Sequence, residues 1–196
     1  ARCTMLTGVS QSVVKNLIEF FKFKKEKIRL IYNGIEEYKG NIYSPEHNSA
    51  VIVGRLATQK GHIYLLEAWK IVIQELPNAT LYIVGEGELK KKLMTLVSKL
   101  NLSKNVVFKG FSPNPSEWML KTEFSILPSL WEGLPLTPLE AFSVYRTVLA
   151  TAVDGTPEVV IDKKTGLLVP PKDTEKLAET IIYLFRNPAY RKKMAE

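Results

Sequence analysis

Residues 129–141 read S-L-W-E-G-L-P-L-T-P-L-E-A, and the reading of this stretch decides the fold of the 196-residue chain. Just before it, Phe124–Leu127 is a short apolar run with the character of a buried strand. The chain then turns through Gly133 and Pro135 and enters a helix near Pro138. A strand, a Gly/Pro turn and a helix start bring backbone N–H groups and a positive dipole end to one point of a cleft. Two carboxylates, Glu132 and Glu140, bracket the turn with seven residues between them. Carboxylates at such a point can accept hydrogen bonds from hydroxyls, for example those of a sugar. A paired acid/base hydrolase is the competing use of the same two groups.

Outward from this stretch, strands at 50–56, 80–84, 106–109, 124–127, 148–150 and 166–169 alternate with helical segments. Leu65, Leu66, Trp69, Val72, Ile73 and Leu76 form a helical stripe ending near Pro77. Leu89, Leu93, Leu96 and Leu100 form a second stripe, with Lys90 to Lys92 mostly outside. Shorter helices are predicted over 113–121 and from Pro138 to about 145, with one or two helical turns over 156–161. Asp173 or Thr174 caps a helix that turns Leu177, Ile181, Leu184 and Phe185 inward, and a basic helix follows Asn187-Pro188. The alternation predicts a doubly wound, Rossmann-like α/β domain, its parallel sheet covered on both faces.

Upstream, 4–9 reads as a strand, and Ser10 N-caps a helix over 11–22 whose apolar positions are Val13, Val14, Leu17, Ile18 and Phe21. A strand over 27–32 ends at the turn dipeptide Asn33-Gly34. Residues 36–48, polar and interrupted by Gly40 and Pro45, read as a linker, with a domain boundary there or slightly before it.

The formal net charge of +7 favours anionic partners such as nucleotides, phosphates, nucleic acid or an anionic membrane face, although a solvated lysine-rich surface accounts for it equally well. The single cysteine, Cys3, excludes an internal disulfide framework and a cysteine-based zinc cluster and fits a reducing, cytoplasmic setting. No apolar run approaches the ~20 residues that span a bilayer, and the start carries no secretory signal pattern. The chain opens on a predicted strand and closes within a charged helical stretch, which reads as a piece of a longer protein.

In doubly wound folds ligands sit beyond the carboxyl ends of the strands. The loop from Gly54-Arg55-Leu56 to Gln59-Lys60-Gly61 offers a planar guanidinium fork and a compact ammonium five residues apart. A cation at a helix start is mildly unfavourable, which tilts the reading from a solvated pair to a diphosphate clamp. Gly85-Glu86-Gly87 lacks the third glycine of a dinucleotide fingerprint; it reads as a close-approach loop near a nucleotide base or sugar, or as a plain tight turn. Asp154-Gly155-Thr156-Pro157-Glu158 adds a further helix start and another anion or hydroxyl site. The sequence has no P-loop, no G-x-S-x-G elbow and no D-x-D metal motif. His47 and His62 lack partners at metal-ligand spacing, and His62 reads as a surface residue at a helix start.

In order, the segments V-S-Q-S from Val9, N-G-I from Asn33, G-R-L…Q-K-G from Gly54, V-G-E-G from Val84, E-x7-E from Glu132 and G-T-P-E from Gly155 resemble the C-terminal, donor-binding domain of retaining GT-B glycosyltransferases. The nearest group is the glycogen-synthase-like, group 1 family. The resemblance implies that residues 1–40 are the tail end of an N-terminal domain and a hinge, and 41–196 the nucleotide-sugar-binding domain. It implies that Arg55 and Lys60 bind the donor diphosphate and stabilise charge on the leaving group, with Glu132 on hydroxyls of the transferred sugar. Glu140 would hold the ribose. N–H groups of Gly133, Leu134, Leu136 and Thr137 would face the sugar and phosphates. Gly54 would flank the clamp, and Gly85, Gly87, Gly110 and Phe111 would lie near the base.

The substrate so implied is a UDP-, GDP- or ADP-sugar, with no metal or other cofactor. The acceptor would be a sugar or a lipid-linked saccharide. Further implied partners are the rest of the N-terminal domain and, peripherally, the inner face of a membrane; nucleic acid is not among them. Tyr145-Arg146-Thr147 stands where many relatives carry Gly-Lys/Arg-Pro, so the shape of that turn is open. A nucleotide-sugar epimerase or phosphorylase-like enzyme of the same fold is one alternative. A non-catalytic nucleotide- or membrane-binding module is another.

Overall fold

The computed structural model describes residues 4–196; Ala1 and Cys3 lie outside them. Its main body is a six-stranded, all-parallel sheet formed by β3 (Ser49–Val53), β4 (Thr80–Val84), β5 (Val106–Gly110), β6 (Phe124–Leu127), β7 (Val148–Thr151) and β8 (Gly166–Val169). The spatial order is β5-β4-β3-β6-β7-β8. Successive strands run outward one way from β3 and the other way from β6. The crevice beyond the β3 and β6 carboxyl ends is therefore the topological switch point, where such sheets bind ligands.

Helices cover both faces, which is why the central strands read as apolar runs rather than alternating ones. The pleat nevertheless sorts their side chains. Ala50, Ile52, Ile126 and Leu149 join one core with α2 (His62–Glu75), α3 (Lys90–Lys99), α6 (Thr174–Arg186) and, through Met194, α7 (Pro188–Ala195). Val51, Leu127, Val148 and Ala150 join the other core with α4 (Pro115–Lys121) and α5 (Thr137–Ser143). Phe185 of α6 ties the first core together, its ring 4.8 Å from that of Phe124 and 6.1 Å from that of Trp69.

Upstream, β1 (Leu6–Gly8) and β2 (Ile28–Leu30) form a separate two-stranded parallel sheet with α1 (Gln11–Glu19) between them. Helix α1 begins where predicted, with Ser10 Oγ accepting the Val13 N–H, but it stops at Glu19 rather than residue 22. Lys22 has a left-handed backbone, φ 56°, which a helix interior cannot hold. No residue of α1 is buried.

The linker lies on the main body. Arg146 Nη2 donates to the Tyr43 carbonyl at 2.7 Å, and the Glu46 N–H donates to the Lys121 carbonyl at 2.8 Å. Among the described residues no helix is long and apolar enough to cross a membrane.

Candidate functional site

Two loops close over the switch point. Gly54 leaves β3 and a single 3-10 turn, Thr58–Lys60, leads to Gly61. From the other side, Pro128 leaves β6. The loops are stitched together by Leu130 N–H to the Gln59 carbonyl at 2.7 Å and by Gln59 Nε2 to the Trp131 carbonyl at 2.9 Å. Gly61 is required here: its φ is +66°, and a Cβ would run into the Pro128 carbonyl oxygen.

Lys60 Nζ meets Glu132 Oε1 at 2.6 Å, with the two side chains only 18% and 7% exposed. The lysine stem lies over Gly54, its Cε 3.5 Å from where a Cβ would stand. Ser129, fully buried, donates its hydroxyl to the same Oε1 at 2.7 Å. Gln59 Nε2 lies 3.5 Å from Oε2, and the Glu132 N–H donates to Asp154 Oδ2 at 2.8 Å. Downstream, the N–H groups of Gly133, Leu134, Leu136 and Thr137 find no acceptor among the described residues. A carboxylate and a cation thus stand immediately before four backbone donors that have no acceptor among the described residues, a set of groups suited to a ligand carrying both anionic and hydroxyl groups.

Glu140 lies in the first turn of α5. Burial raises its pKa above the usual carboxylate value. It lines a recess of about 390 Å³ with Ile35, Asn114, Ser116 and Ser143.

Other predicted site residues stand apart. Arg55 does not converge with Lys60: its side chain is 75% exposed and reaches Glu88 at 3.4 Å. The approach that Gly85 permits is to protein rather than open space, since a Cβ there would strike the Gly54 carbonyl oxygen. Gly87 likewise faces the Leu56 backbone, and Leu56 N–H donates to the Glu86 carbonyl at 2.9 Å. Gly110 accepts the Gly85 N–H at 2.7 Å, and Phe111 beyond it is 76% exposed.

Two expectations are overturned. His62 is not a surface residue: it is 2% exposed, and burial together with the nearby Lys60 charge lowers its pKa to about 4. Glu158 does not offer an open anion or hydroxyl site. Its carboxylate already accepts the N–H groups of Gln11 at 2.8 Å and Ser12 at 3.0 Å and the Tyr32 hydroxyl at 3.1 Å. It caps α1 from across the molecule, a role that opposes charge to the helix dipole. The turn at Tyr145 is now defined. Tyr145 adopts φ 55°, the conformation for which glycine is the usual residue. Arg146 is buried and donates to the carbonyls of Thr122, Leu120, Tyr43, Val144 and Tyr145.

Sequence reasoning assigns no individual role to Ser129, Gln59 or Asp154. For the first two the signal lies in their spacing from residues it does single out: Ser129 precedes Glu132 by three positions, and Gln59 precedes Lys60 by one.

A six-stranded, all-parallel doubly wound sheet with a Lys–Glu pair at its switch point defines a Rossmann-like class of α/β protein. Within that class, residues 33–196 match the family model "Glycosyl transferases group 1", and the chain belongs to that family. It is 37% identical over 139 residues to an uncharacterized glycosyltransferase of Methanocaldococcus jannaschii, covering 71% of this chain and 33% of the relative. It is 33% identical over 152 residues to the poly(glycerol-phosphate) alpha-glucosyltransferase of Bacillus subtilis, covering 77% and 23%. The chain therefore spans about a quarter to a third of these two relatives. A crystal structure of a TarM mutant of S. aureus in complex with fondaparinux, alpha-GlcNAc-glycerol and UDP superposes with a TM-score of 0.91 at 21% identity. That match covers 98% of this chain and 39% of the other, and it places the fold among GT-B structures.

Proposed function

We propose that the chain is the donor-binding part of a retaining glycosyltransferase that moves a hexose from a nucleoside-diphosphate sugar to a sugar, lipid-linked or other acceptor. The observation that carries this reading is the buried Lys60–Glu132 pair beside the unpartnered N–H groups of residues 133, 134, 136 and 137 at the switch point. The diphosphate draws Lys60 off Glu132, and Arg55 swings from Glu88 to join it. Both cations then offset the negative charge that grows on the leaving nucleoside diphosphate, a preorganised electrostatic role. Glu132, released from Lys60, accepts hydrogen bonds from hydroxyls of the transferred sugar. Glu140 holds the ribose. No metal is needed in this scheme, because the two cations and the backbone donors carry the phosphate charge. Residues 1–40 serve as the edge of an acceptor-side domain and hinge, a division supported by their separate sheet. The enzyme works in the cytoplasm, beside a membrane when its acceptor is lipid-linked.

Calorimetry of the chain with UDP, GDP and ADP tests the scheme. One of the three should bind, and Lys60→Ala and Arg55→Ala should each weaken it by about 1.5–3 kcal/mol, the range for a charge-assisted hydrogen bond. Unchanged affinity in both variants would refute the clamp. With acceptor supplied, the 196-residue chain should bind donor but release no free nucleoside diphosphate by transfer; turnover would overturn the assignment of acceptor chemistry to a further domain.

A further inference from the structure

We propose that Ser129 and Asp154 are positioning residues that hold Glu132 in a ligand-ready pose and decide which of its oxygens meets the sugar. This inference rests on the donor-binding reading and adds two residues to it. The two oxygens of Glu132 are not equivalent. Oε1 takes both strong contacts, Lys60 at 2.6 Å and the Ser129 hydroxyl at 2.7 Å. Among the described residues Oε2 has only Gln59, at the 3.5 Å limit of a hydrogen bond. When an anionic ligand takes Lys60, Ser129 still restrains Oε1, so Oε2 remains the oxygen presented to a hydroxyl.

The anchor is itself braced. The Thr151 hydroxyl, buried on β7, donates to the Ser129 carbonyl at 2.5 Å, and Ser129 is fully buried. That bond fixes the Ser129 main chain, and full burial narrows the room its hydroxyl has to turn away from Oε1. Asp154 fixes the main chain of the same glutamate: its Oδ2 accepts the Glu132 N–H at 2.8 Å. Asp154 stands at φ +42°, a left-handed conformation that Asp and Asn tolerate better than most residues. The site thus holds Glu132 by its side chain from β6's exit and by its backbone from β7's exit. Groups of this outer kind commonly set the orientation on which recognition depends.

The test uses the whole chain and three ligand pairs: UDP with UDP-glucose, GDP with GDP-mannose, ADP with ADP-glucose. The pair that binds wild type is then measured on Ser129→Ala, Asp154→Ala and Asp154→Asn, each checked for an unchanged melting profile. Ser129→Ala and Asp154→Ala should weaken the nucleotide sugar by about fivefold to tenfold while leaving the bare nucleoside diphosphate within about twofold. Asp154→Asn, which keeps an acceptor and the backbone conformation, should restore sugar binding to near wild type. A purely structural role would weaken both ligands of a pair together. That result, or unaltered binding of the nucleotide sugar, would overturn the inference while leaving donor binding intact. Failure of wild type to bind any pair would overturn donor binding itself and this inference with it.

Discussion

His62 begins α2 inside the protein, with neither ring nitrogen hydrogen-bonded among the described residues. A buried imidazole is tolerated because it is neutral; burial and Lys60 hold its pKa near 4, against an ordinary value of 6.5. Between those two values the unfolded chain binds the proton and the folded chain does not. Falling pH therefore favours unfolding across this window. Each tenfold difference in proton affinity is worth about 1.4 kcal/mol, so the loss amounts to roughly 3 kcal/mol by pH 4. Glu123 and Glu140, raised by burial, act the other way as pH falls, so the comparison must be with a variant rather than with pH 7 alone. Urea melts of wild type and His62→Leu at pH 7.5, 5.5 and 4.5 supply it. The variant should gain on wild type as pH falls; parallel stability curves would mean that the imidazole is not held neutral.

At the scale of elements, periodicity and turn residues are enough where one face is buried. β6 and β8 fall on the predicted residues, because four-residue apolar runs between turn signals have few alternative registers. Asp173 caps α6 as its position before the apolar stripe predicts, with Oδ1 accepting the Lys176 N–H at 2.9 Å. α3 shows where the signal thins: Leu93 and Val97 are its buried residues, while Leu89, Leu96 and Leu100 lie only partly against the core. An edge helix over β4 and β5 needs a narrower stripe than its four leucines suggest.

The candidate site is legible in part for the same reason. Lys60 and Glu132 stand out in sequence as charges in poorly accommodating loops, and the fold brings them to 2.6 Å. That they bond to each other is a tertiary fact, as is the divergence of Arg55 toward Glu88. His62 misleads because a polar residue at a helix start is ordinarily solvated, and nothing local in the sequence shows that this one is buried. The glycines at 85 and 87 point toward a ligand in sequence, yet backbone packing on residues 54–56 already accounts for them.

Across the whole molecule, the two sheets are held together at a few polar points close to the switch-point crevice. Glu158 caps α1 through the Gln11 and Ser12 N–H groups, and Asn33 Nδ2 donates to the Leu134 carbonyl at 3.0 Å. A Cβ on Gly133 would stand 3.4 Å from Val9, so the same contact also abuts the loop that carries the free donors. A nine-residue helix with no buried residue and no acid in its own first turn is a weak unit by itself. Besides its half-buried apolar face, it is held at its N-terminus by Ser10 and by Glu158, and of these two caps Glu158 is the one that belongs to the main body. Glu158→Ala should therefore loosen residues 4–35 without unfolding the six-stranded sheet. Hydrogen exchange should show protection lost over 11–19 and retained over β3, β6 and β7, and limited proteolysis should cut the 36–42 stretch sooner than in wild type. Glu158→Gln, which keeps an acceptor oxygen but no charge, should fall between the two, because a charge at a helix N-terminus adds about 0.3–1 kcal/mol to the hydrogen bonds themselves. Equal exchange over 11–19 in all three proteins would show that apolar contacts such as Val9 and Val13 against Gly133, rather than the carboxylate, hold the two parts in register.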